Sequence, residues 1–287
     1  MPKTTVLNFL SLVKFSHTIF ALPFAIVGYF TAIKLTGNGF DLQLFLKVIL
    51  CMVFARNSAM AFNRYADRKF DKINPRTFVR EIPAGVISEN AALLFVIINV
   101  LLFIITTKFI NELCFYLSPI AIMVILGYSL TKRFTALCHF VLGLGLSLAP
   151  LGAFLAVTGF FDLVPMLFSI SILFWVGGFD IIYALQDDDF DKSHHLKSIP
   201  VLLGRKGALT LSRAIHAISA IFLLLPGFYM TSSIFYFLGW GVFSALLVYQ
   251  HSLVKSNDLS KVNLAFFTTN GIASVTFLIF YLIDYFS

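Results

Sequence analysis

"NRYADRKFDKINPRT", residues 63–77, decides the fold, because it sets charge at helical spacing inside a chain that is otherwise apolar. Asn63, Asp67 and Asp71 recur every four residues, with Arg64, Arg68, Lys69 and Lys72 among them. In a helix such positions drift by only about 40° per step, so three oxygen-bearing side chains form one stripe over two turns. A second island, "DIIYALQDDDFDKSHHLKS" at 180–198, repeats the pattern. Read as one helix, it puts Asp180, Asp187 and Asp191 on a shared face with Tyr183 beside them, while Asp188 and Asp189 point elsewhere.

The surroundings of these islands exclude a soluble domain. Of the 287 residues, 59% are hydrophobic and only 12% charged, against roughly 25% charged in soluble domains. Apolar stretches near 15–35, 42–62, 91–109, 113–130, 136–157, 163–185, 208–229, 232–250 and 264–286 each approach the roughly 20 residues that cross a bilayer. They predict an all-α polytopic membrane protein of about nine transmembrane helices around a central cavity, a single membrane-embedded unit over residues 1–287. The runs are continuous rather than alternating, which argues against a β-barrel. One boundary, "PGFYMTSS" at 226–233, carries no charge to mark it.

With the N-terminus inside, all of the 21 lysines and arginines except Lys34, Lys47 and Lys108 fall on the inner side, as the positive-inside rule demands. Both islands then face the cytoplasm. The first apolar stretch is too long and too weakly flanked for a cleaved signal peptide and is read as the first span. Cys51, Cys114 and Cys138 are odd in number and far apart, so they offer neither a disulfide framework nor a metal spacing. Basic residues spread over separate loops argue against a nucleic-acid partner.

The islands follow the second and sixth spans, and each runs into a basic loop containing proline, "RTFVREIPAGVIS" and "KSIPVLLGRKG". This predicts a distant duplication of four-helix blocks, with islands at 63–85 and 180–206 facing each other across the cavity. Carboxylates grouped beside lipid repel, at a cost on the order of several kcal/mol unless cations compensate. Hard oxygen donors, few per ion, suit Mg²⁺, which keeps its waters and completes its shell with phosphate oxygens. Arg64, Arg68, Lys69, Lys132 and Arg133 are placed to hold the rest of a polyphosphate. A diphosphate ester with an apolar tail is the expected ligand.

Blander readings compete at each position. One i, i+4 pair of carboxylates is usually a solvated face; two stripes at equivalent topological places favour catalysis. The 34 phenylalanines are mostly lipid-facing, Arg56 is read as snorkelling, His17, His139 and His216 as structural or interfacial, and His194 and His195 as solvated. A secondary transporter with carboxylate ion sites is the alternative class, although its coupling sites belong at the midplane rather than at helix ends.

"NRYADRKFD" resembles the N-x-x-x-D-x-x-x-D motif, and "DIIYALQDDDFD" the D-x-x-Y-A-x-x-D-x-x-x-D motif, of the UbiA superfamily of intramembrane prenyltransferases. The likeness continues through "KFSHTIFALPFA", "NPRTFVREIPAGVIS", "YSLTKRFT" and "KSIPVLLG", in order over residues 14 to 207; the last three spans add only hydropathy. Within the superfamily the chain is most similar to bacterial 4-hydroxybenzoate polyprenyltransferases and to a branch of menaquinone synthesis by the futalosine route. It departs from the pattern at Arg64, where many members carry Asp.

The resemblance implies Mg²⁺-dependent transfer of a polyprenyl group from its diphosphate to an aromatic ring, in a helical bundle open sideways to the bilayer of the bacterial inner membrane. It implies metal at Asn63, Asp67 and Asp71 and at Asp187 and Asp191, the four aspartates being catalytic. Lys14, Arg64, Lys132 and Lys197 are then expected on the diphosphate. Arg68 and Arg133 are expected to grip the carboxylate of an aromatic acid acceptor, with Asp180 and Tyr183 orienting ligands or accepting the ring proton. Hydroxybenzoate and dihydroxynaphthoate acceptors both fit.

Overall fold

Polar residues at the ends of apolar runs set where the helices begin. Asp41 Oδ1 accepts from the N–H groups of Gln43 and Leu44, and Ser88, Asn111, Asp162 and Ser198 cap later helices in the same way. The computed structural model describes residues 6–13 and 20–287, so Lys14 and His17 lie outside the described residues. The helices are α1 (Val6–Leu12), α2 (Leu22–Thr36), α3 (Leu42–Ile73), α4 (Glu89–Lys108), α5 (Glu112–Thr131), α6 (Cys138–Thr158), α7 (Leu163–Ala184), α8 (Asp188–Ser193), α9 (Ile199–Tyr229), α10 (Ile234–Leu253) and α11 (Asn270–Phe286). A π-helical stretch, Leu264–Thr269, leads into α11. Among the described residues, eight helices are long and apolar enough to cross a bilayer, and α2 is a ninth, shorter apolar helix of 15 residues. The bundle is therefore all-α with about nine spans, as expected.

At 32 residues, α3 is about 48 Å long, well beyond a hydrocarbon core of about 30 Å. Its last turns carry the first island past the apolar part of the bundle. It stops at Asn74, where the following Pro75 disfavours further helix.

Helix α7 packs between α6 and α9. Two glycines bring helices into backbone contact: a Cβ at Gly143 would lie 2.3 Å from the Leu173 carbonyl oxygen, and one at Gly28 would lie 2.1 Å from that of Pro150. The core beside α7 is aromatic, with Phe24, Trp175, Phe243 and Phe277 all buried. The Trp175 indole N–H donates to Asn270 Oδ1 at 3.0 Å, and the Asn270 amide donates to the Phe266 carbonyl at 2.8 Å. One buried side chain thus satisfies a carbonyl that the wider π-turn leaves out of register.

The second island departs from the single helix expected of it. Helix α7 ends at Ala184, its exit tightened by i→i−3 bonds from Leu185 and Gln186, and Asp187 directly precedes the separate short helix α8 without a side-chain bond to its first turn. Three successive aspartates crowd like charge and favour caps over helix interior, so the chain restarts there. Asp188 is drawn off to Arg205, at 2.6 and 2.8 Å, and Asp189 follows it at 3.3 Å.

Candidate active site

Both islands lie at the same end of the bundle, at the mouth of a cavity of about 610 Å³. Asn63, Arg64, Asp67 and Asp71 from α3 line one side, and Asp180, Tyr183, Asp187 and Asp191 the other. Deeper walls are apolar, including Val48, Met52, Phe103, Ile125 and Leu148. Such a pocket takes a charged head at its mouth and a hydrocarbon tail below.

The stripe on α3 is buried: Asp67 is 4% and Asp71 5% exposed. Buried carboxylates need partners, and basic residues from two loops supply them. Lys132, between α5 and α6, sits 3.0 Å from Asp67 Oδ2, and Arg133 lies 3.4 Å from Oδ1 while donating to the Ala66 carbonyl at 2.7 Å. The Asn63 amide completes the set around Asp67 at 3.4 Å. Arg80, from the α3–α4 loop, holds Asp71 Oδ1 at 2.7 Å.

On the opposite wall, Arg76 from that same loop forks both oxygens of Asp187, Nε lying 2.9 Å from Oδ1. Its remaining nitrogen donates to the Tyr183 hydroxyl at 2.9 Å, and the Asn74 amide reaches Asp187 Oδ1 at 3.2 Å. Burial alone would lower the Arg76 pKa; its bonds to Asp187 and Tyr183 outweigh burial and hold it above its ordinary value. Burial pushes the Asp191 carboxyl up to about 6, with Lys132 opposing and Asp187 adding to the rise.

Two cavity-lining atoms, Asp71 Oδ2 and Arg64 Nε, are buried without a hydrogen-bond partner. An oxygen and a guanidinium N–H held ready in this way suit a cation and an anionic oxygen respectively. Among the described residues no three acidic, histidine or cysteine side chains gather into a ready-made metal cluster. Hard carboxylate and amide oxygens, few per ion, therefore fit a divalent cation that draws the rest of its shell from water and phosphate.

Several expected site residues lie elsewhere. Arg68 turns away from the cavity: its Nε pairs with Glu89 at 2.6 Å and its guanidinium stacks on Tyr65. Lys197 donates from Nζ to the Phe134 carbonyl at 3.1 Å, and its backbone N–H to that of Lys132 at 2.6 Å. Arg133 stacks over Phe70 rather than lining the cavity. Other residues were missed. Arg76 and Arg80 sit four apart in "NPRTFVRE", a spacing visible in the sequence. Arg56, read as snorkelling, instead lines the cavity, seven residues or about 10 Å deeper along α3 than Asn63. His139 bonds Asp180 at 2.6 Å, and no sequence signal marks that pairing.

The model of the UbiA prenyltransferase family matches residues 21–272. A 4-hydroxybenzoate octaprenyltransferase of Aliivibrio fischeri (strain MJ11) is 32% identical over 254 residues, covering 86% of each chain. One from Vesicomyosocius okutanii is 29% identical over 248 residues, covering 86% of this chain and 90% of that one. Among solved structures, a UbiA homologue from Aeropyrum pernix K1 superposes with a TM-score of 0.84 at 29% identity, over 93% of this chain and 98% of the other. A UbiA homologue from Archaeoglobus fulgidus, solved with GPP and Mg²⁺, shares the fold with a TM-score of 0.72 at 24% identity, over 98% and 100%. With a family match over most of its length, a bundle that superposes on UbiA homologues and two acidic walls meeting over one apolar cavity, this chain belongs to the UbiA prenyltransferase family and is an integral-membrane prenyltransferase.

Proposed function

We propose that the protein transfers a polyprenyl group from its diphosphate to the ring of a hydroxylated aromatic acid of the 4-hydroxybenzoate type, in quinone biosynthesis. The observation that carries this reading is the juxtaposition of two carboxylate walls and several cations at the mouth of a deep apolar cavity. The names of the relatives from Aliivibrio and Vesicomyosocius support the acceptor class. The positive-inside pattern and the bacterial relatives support the inner membrane, with the site at its cytoplasmic face.

Asn63, Asp67 and Asp71 on one wall and Asp187 and Asp191 on the other would hold Mg²⁺, which when bound neutralises charge developing on the leaving diphosphate. Arg64, Lys132, Arg76 and Arg80 ring that mouth and are assigned to the diphosphate oxygens, with Lys197 steadying the Lys132 loop. The prenyl tail fills the apolar depth and excludes water, which protects an allylic cation from capture. Arg56 is assigned to the acceptor carboxylate, because it presents a guanidinium to the cavity below the acidic rim. Tyr183 and Asp180 face the same space and orient the ring. Arg68 and Arg133, engaged by Glu89 and Asp67, are placed outside the acceptor pocket.

Purified protein incubated with Mg²⁺, one polyprenyl diphosphate and either 4-hydroxybenzoate or a dihydroxynaphthoate, with products identified by mass, tests the proposal. Prenylated hydroxybenzoate is the expected product. Exclusive prenylation of the naphthoate would reassign the acceptor, and no aromatic product with either would overturn the reading.

A further inference from the structure

His139, on the first turn of α6, touches none of the groups assigned above to metal or diphosphate, yet it is only 2% exposed and both of its ring nitrogens are engaged. Nε2 lies 3.2 Å from the backbone N–H of Ile199. A backbone N–H can only donate, so Nε2 carries the lone pair and the ring proton sits on Nδ1. Nδ1 lies 2.6 Å from Asp180 Oδ2. His139 is therefore the donor in that bond and Asp180 the acceptor, an ionised carboxylate. The opposite assignment, a protonated Asp180 donating to Nδ1, would leave a proton on Nε2 pointing into the Ile199 N–H. An imidazolium fails for the same reason.

Both residues line the cavity, but the Asp180 side chain is 23% exposed and that of His139 only 3%. One carboxylate oxygen is thus held by His139 and the other is left to the cavity. Ile199 opens α9 directly after the loop that follows Asp191, so the same imidazole ties α6, α7 and the second island together.

We propose that His139 is a positioning residue that holds Asp180 as an oriented anion, which takes the proton displaced from the acceptor ring. This rests on the aromatic acceptor proposed above. In the step, the donor C–O bond breaks with its electron pair leaving on the diphosphate, and a ring π pair forms the new C–C bond. The C–H pair at that ring carbon then restores aromaticity as its proton passes to Asp180, which later releases it to water. His139 gives up no proton, because its Nε2 accepts throughout from Ile199. It keeps Asp180 anionic and aimed.

The test compares His139→Leu, which removes the donor, with His139→Asn, whose amide N–H stands near the Nδ1 position, using unlabelled and ring-deuterated acceptor. Size exclusion and thermal melting verify folding, and His139→Met replaces the leucine variant if that one does not insert. The expected result is a fall in kcat of about tenfold or more for the apolar variant, an unchanged KM for the prenyl diphosphate, and a primary deuterium effect that wild type does not express. His139→Asn should keep most of the wild-type kcat, and the apolar change should add no further loss in an Asp180→Asn background. Equal losses in both variants without a deuterium effect would overturn the proposal and leave His139 as packing. A wild type that prenylates a different nucleophile would overturn only the acceptor assignment, and the same comparison on that nucleophile would still decide the role of His139.

Discussion

Arg76 reaches from the α3–α4 loop across the cavity mouth and forks both carboxylate oxygens of Asp187, so the two acidic islands are joined by a bidentate ion pair 111 residues apart in sequence. Lysine offers a point charge and cannot reproduce the fork or reach the Tyr183 hydroxyl at the same time. Arg76→Lys should therefore lower kcat/KM for the prenyl diphosphate by about tenfold or more while moving the acceptor KM little, as steady-state kinetics with each substrate varied would measure. The thermal shifts of Arg76→Met and Asp187→Asn should be non-additive in the double variant, because the residues form one pair; additive shifts would mean that the contact holds nothing together.

Asp67 and Asp191 are both buried and stand on opposite walls. Amides of the same shape keep a polar contact to Lys132 or Ser198 but lose the charge that attracts a divalent ion. Asp67→Asn or Asp191→Asn should leave the protein inserted and folded by size exclusion in detergent, while turnover falls by roughly a hundredfold or more. Near-normal turnover in either variant would remove that residue from the metal set.

The first island was legible because α3 runs unbroken through it: Asn63, Asp67 and Asp71 share a face, as the four-residue spacing required. The second was legible in composition but not in geometry, since repulsion among Asp187, Asp188 and Asp189 and the pull of Arg205 break the helix there. Nothing in a one-dimensional pattern says that Arg76 and Arg80 fold back over the site, because loop closure is tertiary. Nor does it say which face of a helix meets lipid and which meets a cavity, and Arg56 was misread for that reason. The uncharged boundary at 226–233 turns at Met230–Ser233, and its fixing charge comes from far along the chain: Asp284 on α11 accepts the Ser233 N–H at 2.5 Å and pairs with Lys34 at 3.0 Å.

Under the proposed metal assignment, proton and metal compete at Asp191. Its folded pKa is raised from 3.8 to about 6, so the metal-free fold holds the proton more tightly than the unfolded chain does. That stabilising contribution is complete below the unfolded value and is lost as pH rises through about 6. Metal binding runs the other way, because the ligand must be ionised. Apparent Mg²⁺ affinity should weaken by about tenfold per pH unit below 6, measured by calorimetry or by metal-dependent protection against melting. Asp191→Asn should flatten that dependence, and an unchanged slope in the variant would assign the proton to another group.

Gly28 lets α2 lie against the backbone of α6 at Pro150, where any Cβ would meet backbone at 2.1 Å. Backbone cannot yield as a side-chain tip can, so the two helices must separate. Gly28→Ala should destabilise the bundle by about 1–3 kcal/mol, read as a lowered melting temperature in detergent. A melting temperature equal to that of wild type would show that the crossing relaxes freely.

Arg56 and Arg133 stand at different places in the site. Arg133 lies against Asp67 and the Ala66 carbonyl at the rim, and Arg56 lines the cavity deeper along α3. If the ring's carboxylate enters below the diphosphate, Arg56→Met should raise the acceptor KM by about tenfold or more and leave that of the prenyl diphosphate nearly unchanged, since a lost charge-assisted bidentate contact costs about 1.5–3 kcal/mol. Arg133→Ala should show the reverse bias, with weaker donor or metal binding and an acceptor KM close to wild type. Both constants come from one pair of saturation curves per variant. A larger acceptor effect at Arg133 than at Arg56 would place the aromatic acid at the rim, beside Asp67, and would make the deeper arginine a part of the cavity wall alone.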